Sequence, residues 1–486
     1  MSPCTDPYSV TGKPPEIAEH AALLVVGAGE AGMGAAIAAA RSGTQTVLID
    51  EHPLDPALFG LDVPFHFGQR ADGSVQNRGR ALDQIVQAHP RLDEAFEAGV
   101  DVRLGVTAWA GFVNGPTSHA LTKPVVALAD SQRSWLMSFD RLVVAAGRRD
   151  LGFAFPGWEL PGVMGATGLH TLLCRYRAFA GRRILILGGG RLGLETALEA
   201  HRQGLEIAAI VEALPAFPAP ANLLAEARAA GIELMAGTII TEAQGGAAGI
   251  ERARLVALAD DLLPIAGRER VVECDTICLA LGAVPNVELL DQLGCKMTYR
   301  SDRGGHLPLL TPEGRSSLET VFAVGDCAGI AVEADGLERL AIWSRAQIAV
   351  SGIDVTVCQC EEVSRRDLIE VKPPRYLERE TRGLKTRNLQ TLLADGPANQ
   401  DQIKRLTRAG MGVCQGRRCR EQVTALLSLA GETAPARVPL PSHRPPLRPL
   451  PLSVLQDRHE HPGMRSGWDV WFGIDGQFDP YWDIKS

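Results

Sequence analysis

Aromatic side chains are scarce, at 5% of the 486 residues, and there is no excess of positive charge. Forty-nine lysines and arginines stand against 57 aspartates and glutamates, a formal net charge of −8. A general nucleic-acid binder would show a basic excess, so that class is excluded. The opening residues, MSPCTDPYSVTGKPPEIAEH, lack the charged start and apolar run of a secretory leader. A cytoplasmic setting is expected, with any membrane association made through partners. The apolar stretch from Ala21 to Ala40 is broken by Gly27, Gly29, Gly32, Gly34 and Glu30, which argues against a membrane span. A catalytic constellation is also missing: His170, His201 and His306 stand isolated, and a lone histidine is more often structural than catalytic.

Glycine, by contrast, is abundant, at 51 residues. An apolar run, Ala22 to Val26, leads into GAGEAG (Gly27 to Gly32), then an Ala-rich helical stretch ending near Gly43, then QTVLID with Asp50 and Glu51 at its end. This is strand, glycine turn, helix, strand, acid. The first glycine makes the tight turn, the second lets backbone meet a pyrophosphate, and the third lets helix pack on strand. The phosphates then face free N–H groups at a helix N-terminus. Asp50 is the best candidate for the ribose-binding acid and Glu51 the near alternative.

The unit recurs 161 residues later. RILIL is followed by Gly188, Gly190 and Gly193, a helical stretch and a strand ending in Glu212. A carboxylate there favours NAD over NADP, because it repels a 2′-phosphate. The site is expected to take NAD(H) or another adenine nucleotide, or to be a relic. Two further strand-to-glycine segments, FDRLVVAAGRR with Gly147 and TVFAVGDCAG with Gly325 and Asp326, complete a likeness. Together with the first fingerprint they resemble the flavoprotein reductases with two dinucleotide domains. That resemblance implies FAD in the first domain, with Asp326 near the ribityl chain or phosphates, and an inserted second domain. The disulfide-reductase branch does not fit. No C-x-x-C or C-x4-C follows the second strand, and Cys174 stands alone.

Beyond Ala349 the ten cysteines stop being scattered. CQC places Cys358 and Cys360 together, and AGMGVCQGRRCR places Cys414 and Cys419 together. Clustered thiols in a reduced compartment suggest metal or redox chemistry rather than disulfides. Two pairs can furnish the four soft ligands of zinc or of an iron–sulfur cluster. Glycines in the second pair's loop bring backbone N–H groups toward sulfur, which raises a cluster's potential. Six basic residues, Lys404, Arg405, Arg408, Arg417, Arg418 and Arg420, lie between Gln402 and Arg420 with no acid among them. They suit either a reduced cluster or the steering of an acidic partner, or simply a solvated helix face.

The cysteine segment resembles the bacterioferritin-associated-ferredoxin-like (BFD-like) domain, a small helical [2Fe–2S] module. More closely, RAGMGVCQGRRC after CQCEEV resembles the alpha subunits of flavin-dependent amine dehydrogenases, among them opine oxidases, D-hydroxyproline and proline dehydrogenases, and the FAD subunit of hydrogen cyanide synthase. The likeness runs from Ala21 to about Leu427. It departs at the 53 residues between the pairs, where EVKPPRYLERETRGLKTRNLQ reads as an insertion. The resemblance implies a [2Fe–2S] cluster on Cys358, Cys360, Cys414 and Cys419. It also implies a hetero-oligomer in which a D-amino-acid-oxidase-like FAD beta subunit is joined by a small ferredoxin-like gamma subunit. The substrate, an opine, a D- or hydroxyproline or a related amino acid, would be oxidised in the partner. A stand-alone NADH-dependent flavin reductase and a catalytically silent scaffold are the alternatives.

The expected fold is α/β, with two Rossmann-like domains in a glutathione-reductase-like arrangement plus the small helical module. Residues 1–20 form an extension, 21–150 and 287–350 the FAD domain, 151–286 the second nucleotide domain, 351–430 the cysteine domain, and 431–486 a linker and tail. The linker, Glu432 to Ser453, is Pro-dense and must be extended. The tail concentrates Trp468, Trp471, Phe472, Phe478, Tyr481 and Trp482, which suits docking onto this chain or a partner.

Overall fold

A computed structural model describes residues 17–56, 68–114, 121–330, 336–374, 376, 387–397 and 399–456. The aromatic tail and part of the suspected insertion lie outside them.

The strand Ile17–Val26 sits at the centre of the first sheet, and its run LLVV is apolar on both faces because both faces are covered. Thr46–Asp50 and then Asp101–Leu104 lie parallel on one side of it. On the other side lies Ser134–Val144, whose first half pairs antiparallel with Val125–Ala129 and whose second half pairs parallel with Val321–Ala323. The chain leaves this sheet through Arg148–Asp150 and returns through Ala283–Pro285, and these two short strands pair antiparallel at the crossing. Between them lies a second parallel sheet, in the order Leu234–Met235, Glu206–Val211, Arg183–Leu187, Thr276–Leu279, Val163–Gly165. A separate three-stranded antiparallel sheet, Thr238–Gly246, Gly249–Leu258 and Pro264–Glu273, lies within the same stretch of chain.

Each parallel sheet opens with a strand, a glycine turn and a helix: Glu30–Arg41 in the first, Arg191–Arg202 in the second. Both helices end just before a glycine in the left-handed region, Gly43 at φ +86° and Gly204 at φ +84°, where a side chain would be strained.

Among the described residues the cysteine segment folds as a two-stranded ladder, Thr356–Cys358 with Val363–Ser364, and four helices: Arg365–Glu370, Leu389–Asp395, Gln400–Thr407 and Arg420–Ala430. It has no core of its own among the described residues. Val357, Cys358, Cys419 and Val423 belong to one apolar cluster with Phe153, Trp158, Leu279 and Trp343. Trp158 and Trp343 are almost fully buried, each contributing roughly 5 kcal/mol by area. The indole of Trp158 also donates to the Thr356 carbonyl at 2.6 Å. The Pro-dense segment is an extended strap. It places Val438 in the cluster that the cysteine segment shares with Trp158 and Trp343, and Leu447 in the core of the first sheet. Among the described residues, no helix is long and apolar enough to cross a membrane.

Candidate functional site

The turn at Gly27 runs at φ +110°, and a Cβ there would stand 2.2 Å from the Ala145 carbonyl oxygen. A Cβ on Gly32 would stand 1.9 Å from the Gly27 oxygen. Glycine at these two positions is therefore a packing requirement. At Gly29 nothing lies within 4 Å of a Cβ, so this backbone faces open space. That space is a cleft of about 550 Å³, and Gly27, Gly29, Gly32, Asp50, Glu51, Gly147, Gly325 and Asp326 all line it. Asp50 takes the Ala28 N–H at 2.6 Å and the His52 N–H at 2.8 Å, which fixes the glycine turn against the second strand. Glu51 pairs with Arg448 of the strap at 2.5 Å. Across the cleft, Asp326 faces Arg148 at 3.6 Å.

The inner wall holds residues that no motif announced. Asp150 is buried and accepts hydrogen bonds from Thr167 N, Thr167 Oγ1 and Gly168 N. Burial outweighs these bonds and pushes its carboxyl up to about 6. Beside it Arg149 donates to Glu288 at 2.7 Å and to Glu421 at 2.6 Å. Arg420 reaches the same two carboxylates at 3.1 and 2.8 Å. His443, on the strap, bonds Arg420 at 2.7 Å and Asp291 at 2.6 Å. Burial alone would raise the Glu288 carboxyl, but Arg149 and Arg420 overcome it and hold it well below the usual carboxylate range. Six charged or polar residues from four stretches of chain thus meet in one network between cleft and cysteine loop. The loop itself enters the cleft, since Arg417 and Arg418 form part of its wall.

Cys358, Cys414 and Cys419 are buried and Cys360 half-buried. All four are free thiols, and the hydrogen-bonding neighbour of Cys358 is Cys419 while that of Cys360 is Cys414. The field of the other three thiols reaches Cys419, whose thiol is pushed well up by Cys358 first and by burial second. The glycines let the loop come this close. A Cβ on Gly412 would stand 2.3 Å from that of Cys360, and Gly410 N–H points at Cys358 Sγ from 3.5 Å. The thiols meet two by two, and among the described residues no three Cys, His, Asp or Glu side chains stand as a finished ligand set. Their donor chemistry nonetheless fits a four-thiolate centre. The basic run is not an open steering patch. Arg417, Arg418 and Arg420 are buried, with Arg418 donating to Gln359 at 2.8 Å and Arg417 to the Leu447 carbonyl. Of the remaining three, Arg408 pairs with Glu361. The other described cysteines, at 174, 274, 278, 295 and 327, are free thiols away from these four.

Residues 21–351 match the model of pyridine nucleotide-disulphide oxidoreductases. The chain belongs to that family. Several of its relatives are named as enzyme subunits. It is 23% identical to an opine oxidase subunit of Agrobacterium tumefaciens, over 89% of this chain and 91% of that one. It is 26% identical to hydrogen cyanide synthase subunit HcnB of Pseudomonas aeruginosa, over 89% and 98%. The alpha subunit of sarcosine oxidase from Rhizobium meliloti is 24% identical over 90% of this chain, but that match spans 43% of the longer relative. Among solved structures, L-proline dehydrogenase from P. horikoshii shares the fold, with a TM-score of 0.56 at 17% identity over 91% of this chain and 81% of that one.

The oxidoreductase's second fingerprint, Gly188, Gly190, Gly193 and Glu212, is also assembled at the end of its sheet. Glu212 is 0% exposed. Its carboxylate accepts from Gly189 N at 2.8 Å and Leu214 N at 3.1 Å. Of the histidines singled out in the sequence, His170 edges the first cleft. His306 is held to about 4, chiefly by burial, and packs edge-on against Tyr299. His201 is exposed. None approaches the cysteines as a ligand among the described residues.

Proposed function

We propose that this chain is the electron-transfer subunit of a heteromeric dehydrogenase acting on the C–N bond of an opine, a D- or hydroxyproline, or a related amino acid. It carries FAD in the first cleft and a [2Fe–2S] cluster on Cys358, Cys360, Cys414 and Cys419. The substrate is oxidised in a D-amino-acid-oxidase-like partner, with help from a small ferredoxin-like one. The observation that carries this reading is the wall shared by the two sites: the loop that bears Cys414 and Cys419 also places Arg417 and Arg418 in the nucleotide cleft. The names of the relatives, all oxidase or synthase subunits, support it.

The roles follow from placement. The N–H groups opening the helix Glu30–Arg41 take the pyrophosphate. Asp50, already bonded to the turn, and Glu51 face the ribose, and Asp326 with Arg148 faces the ribityl end. A flavin exchanges electrons in pairs and a [2Fe–2S] cluster singly, so together they let a two-electron oxidation feed a one-electron carrier. Arg149 and Arg420 hold the two sites in fixed relation through Glu288 and Glu421. Purified chain, reconstituted anaerobically with iron and sulfide, is expected to show flavin absorbance and cluster bands. Cys414→Ser should lose the cluster bands and bound iron while keeping the flavin. Absence of both chromophores in the parent chain would overturn the proposal.

A further inference from the structure

The two dinucleotide folds agree at their first and third glycines. A Cβ on Gly188 would lie 2.3 Å from the Ala280 carbonyl oxygen, as one on Gly27 would lie 2.2 Å from that of Ala145. Cβ atoms on Gly32 and Gly193 would each lie 1.9 Å from the oxygen of the first glycine in their turn. Each strand-end acid takes the N–H of the residue after that first glycine.

They part at the place where backbone meets the pyrophosphate. Gly29 is open to 4 Å, whereas the Arg339 guanidinium lies 2.4 Å from the Cβ position of Gly190. The Phe217 ring lies 2.3 Å from that of Gly189. Arg339 also donates to the Leu281 carbonyl oxygen at 3.4 Å. Glu212, which would face a ribose, instead accepts the indole N–H of Trp343 at 3.1 Å, in addition to its two backbone donors. Trp343 is 0% exposed and meets Phe153 edge-on at 5.4 Å. Arg339 and Trp343 lie four apart on the helix Gly336–Ser351, hence on one face. The guanidinium covers the phosphate position, and the indole supplies the hydrogen bond a ribose hydroxyl would give.

We infer that the second dinucleotide fold is a docking groove for the chain's own helix. The helix Gly336–Ser351 fills the groove as a nucleotide would, and through its packing against Arg420–Ala430 it seats the cysteine segment. The groove does not take NAD(H), and hydride does not enter the chain by this route. The occupancy follows from protein contacts alone, whichever cofactor the first cleft holds.

The test uses the full chain with its first cleft loaded. NADH, NAD⁺ and ADP are titrated to about 1 mM, the weak end of specific binding, by calorimetry and by tryptophan fluorescence. No saturable second equivalent is expected. A second equivalent in the parent chain overturns the occupancy, and its tenfold weakening in Arg339→Ala would show Arg339 gripping a phosphate instead of covering its place. Arg339 is half-exposed, so the variant should fold. Hydrogen exchange in residues 420–430 is expected to accelerate about tenfold in Arg339→Ala, and unchanged exchange there would overturn the seating role.

Discussion

Replacing Glu288 by glutamine keeps the side chain's size and removes one charge from the buried network. In the parent, two guanidiniums meet two carboxylates: Arg149 and Arg420 each reach both Glu288 and Glu421 at 2.6–3.1 Å. In Glu288→Gln one carboxylate must serve both, leaving an excess positive charge at side chains no more than 12% exposed. An ion pair at about 4 Å is worth roughly 4 kcal/mol at an effective dielectric of 20, and breaking a buried pair costs about 3–5 kcal/mol. The amide oxygen still accepts one bond, so about 3 kcal/mol is expected, read from urea midpoints by tryptophan fluorescence at pH 7. The pH dependence tests the cause. The folded Glu288 carboxyl lies below its unfolded value of about 4.3, so its stabilisation is complete above that value and drains away as pH falls toward the folded one. The gap between parent and variant should therefore be full at pH 7 and narrow below about pH 4. A gap of equal size at pH 3 and pH 7 would refute an ionic origin.

Other outcomes are equally specific. Gly29→Val puts a side chain into open cleft, so the fold should survive by circular dichroism while bound flavin falls at least tenfold. Gly32→Val meets the Gly27 oxygen and should yield no folded chain at all. For Asp150, raised to about 6, the sign is opposite to that of Glu288: its contribution is full below about 3.9 and lost as pH rises through 6. Asp150→Asn should therefore gain on the parent by roughly 3 kcal/mol between pH 4 and pH 7, and a flat difference in chemical denaturation would disprove the raised carboxyl. Leu447→Ala, in the core of the first sheet, should cost about 2–5 kcal/mol. A loss under 1 kcal/mol in the denaturation midpoint would show that the strap is only resting there.

What could be read from the linear chain was whatever local backbone geometry enforces. Gly27 and Gly32 are glycines because a Cβ would strike atoms of their own turn and the neighbouring strand, so their spacing is written within a few residues. The acids Asp50 and Glu212 close the same units. The buried network was not legible, because its partners are far apart along the chain: Arg149 meets Glu288 across 139 positions and Glu421 across 272. Arg420 looked like part of a surface run because one acid that balances it, Glu421, lies just past the stretch and the other, Glu288, lies 132 positions away. The two fingerprints read alike for a similar reason. Trp343 arrives 131 residues after Glu212, and Arg339, which also sets the second apart, comes shortly before it on the same helix.

The strap gives the first cleft an unusual history during synthesis. Its floor is laid down by Gly27 to Gly32, its far side by Gly325 and Asp326, and its rim by Leu447 and Arg448. A ribosome that has released the chain only as far as the cysteine helices has exposed a nucleotide fold still lacking Leu447 from its core and Arg448 from Glu51. Domains form as units while the chain emerges, so this cleft takes shape before one of its edges is built. The edge of the cleft is thus held by contacts that the last-made stretch of chain supplies, Arg448 on Glu51 and Leu447 in the first sheet's core.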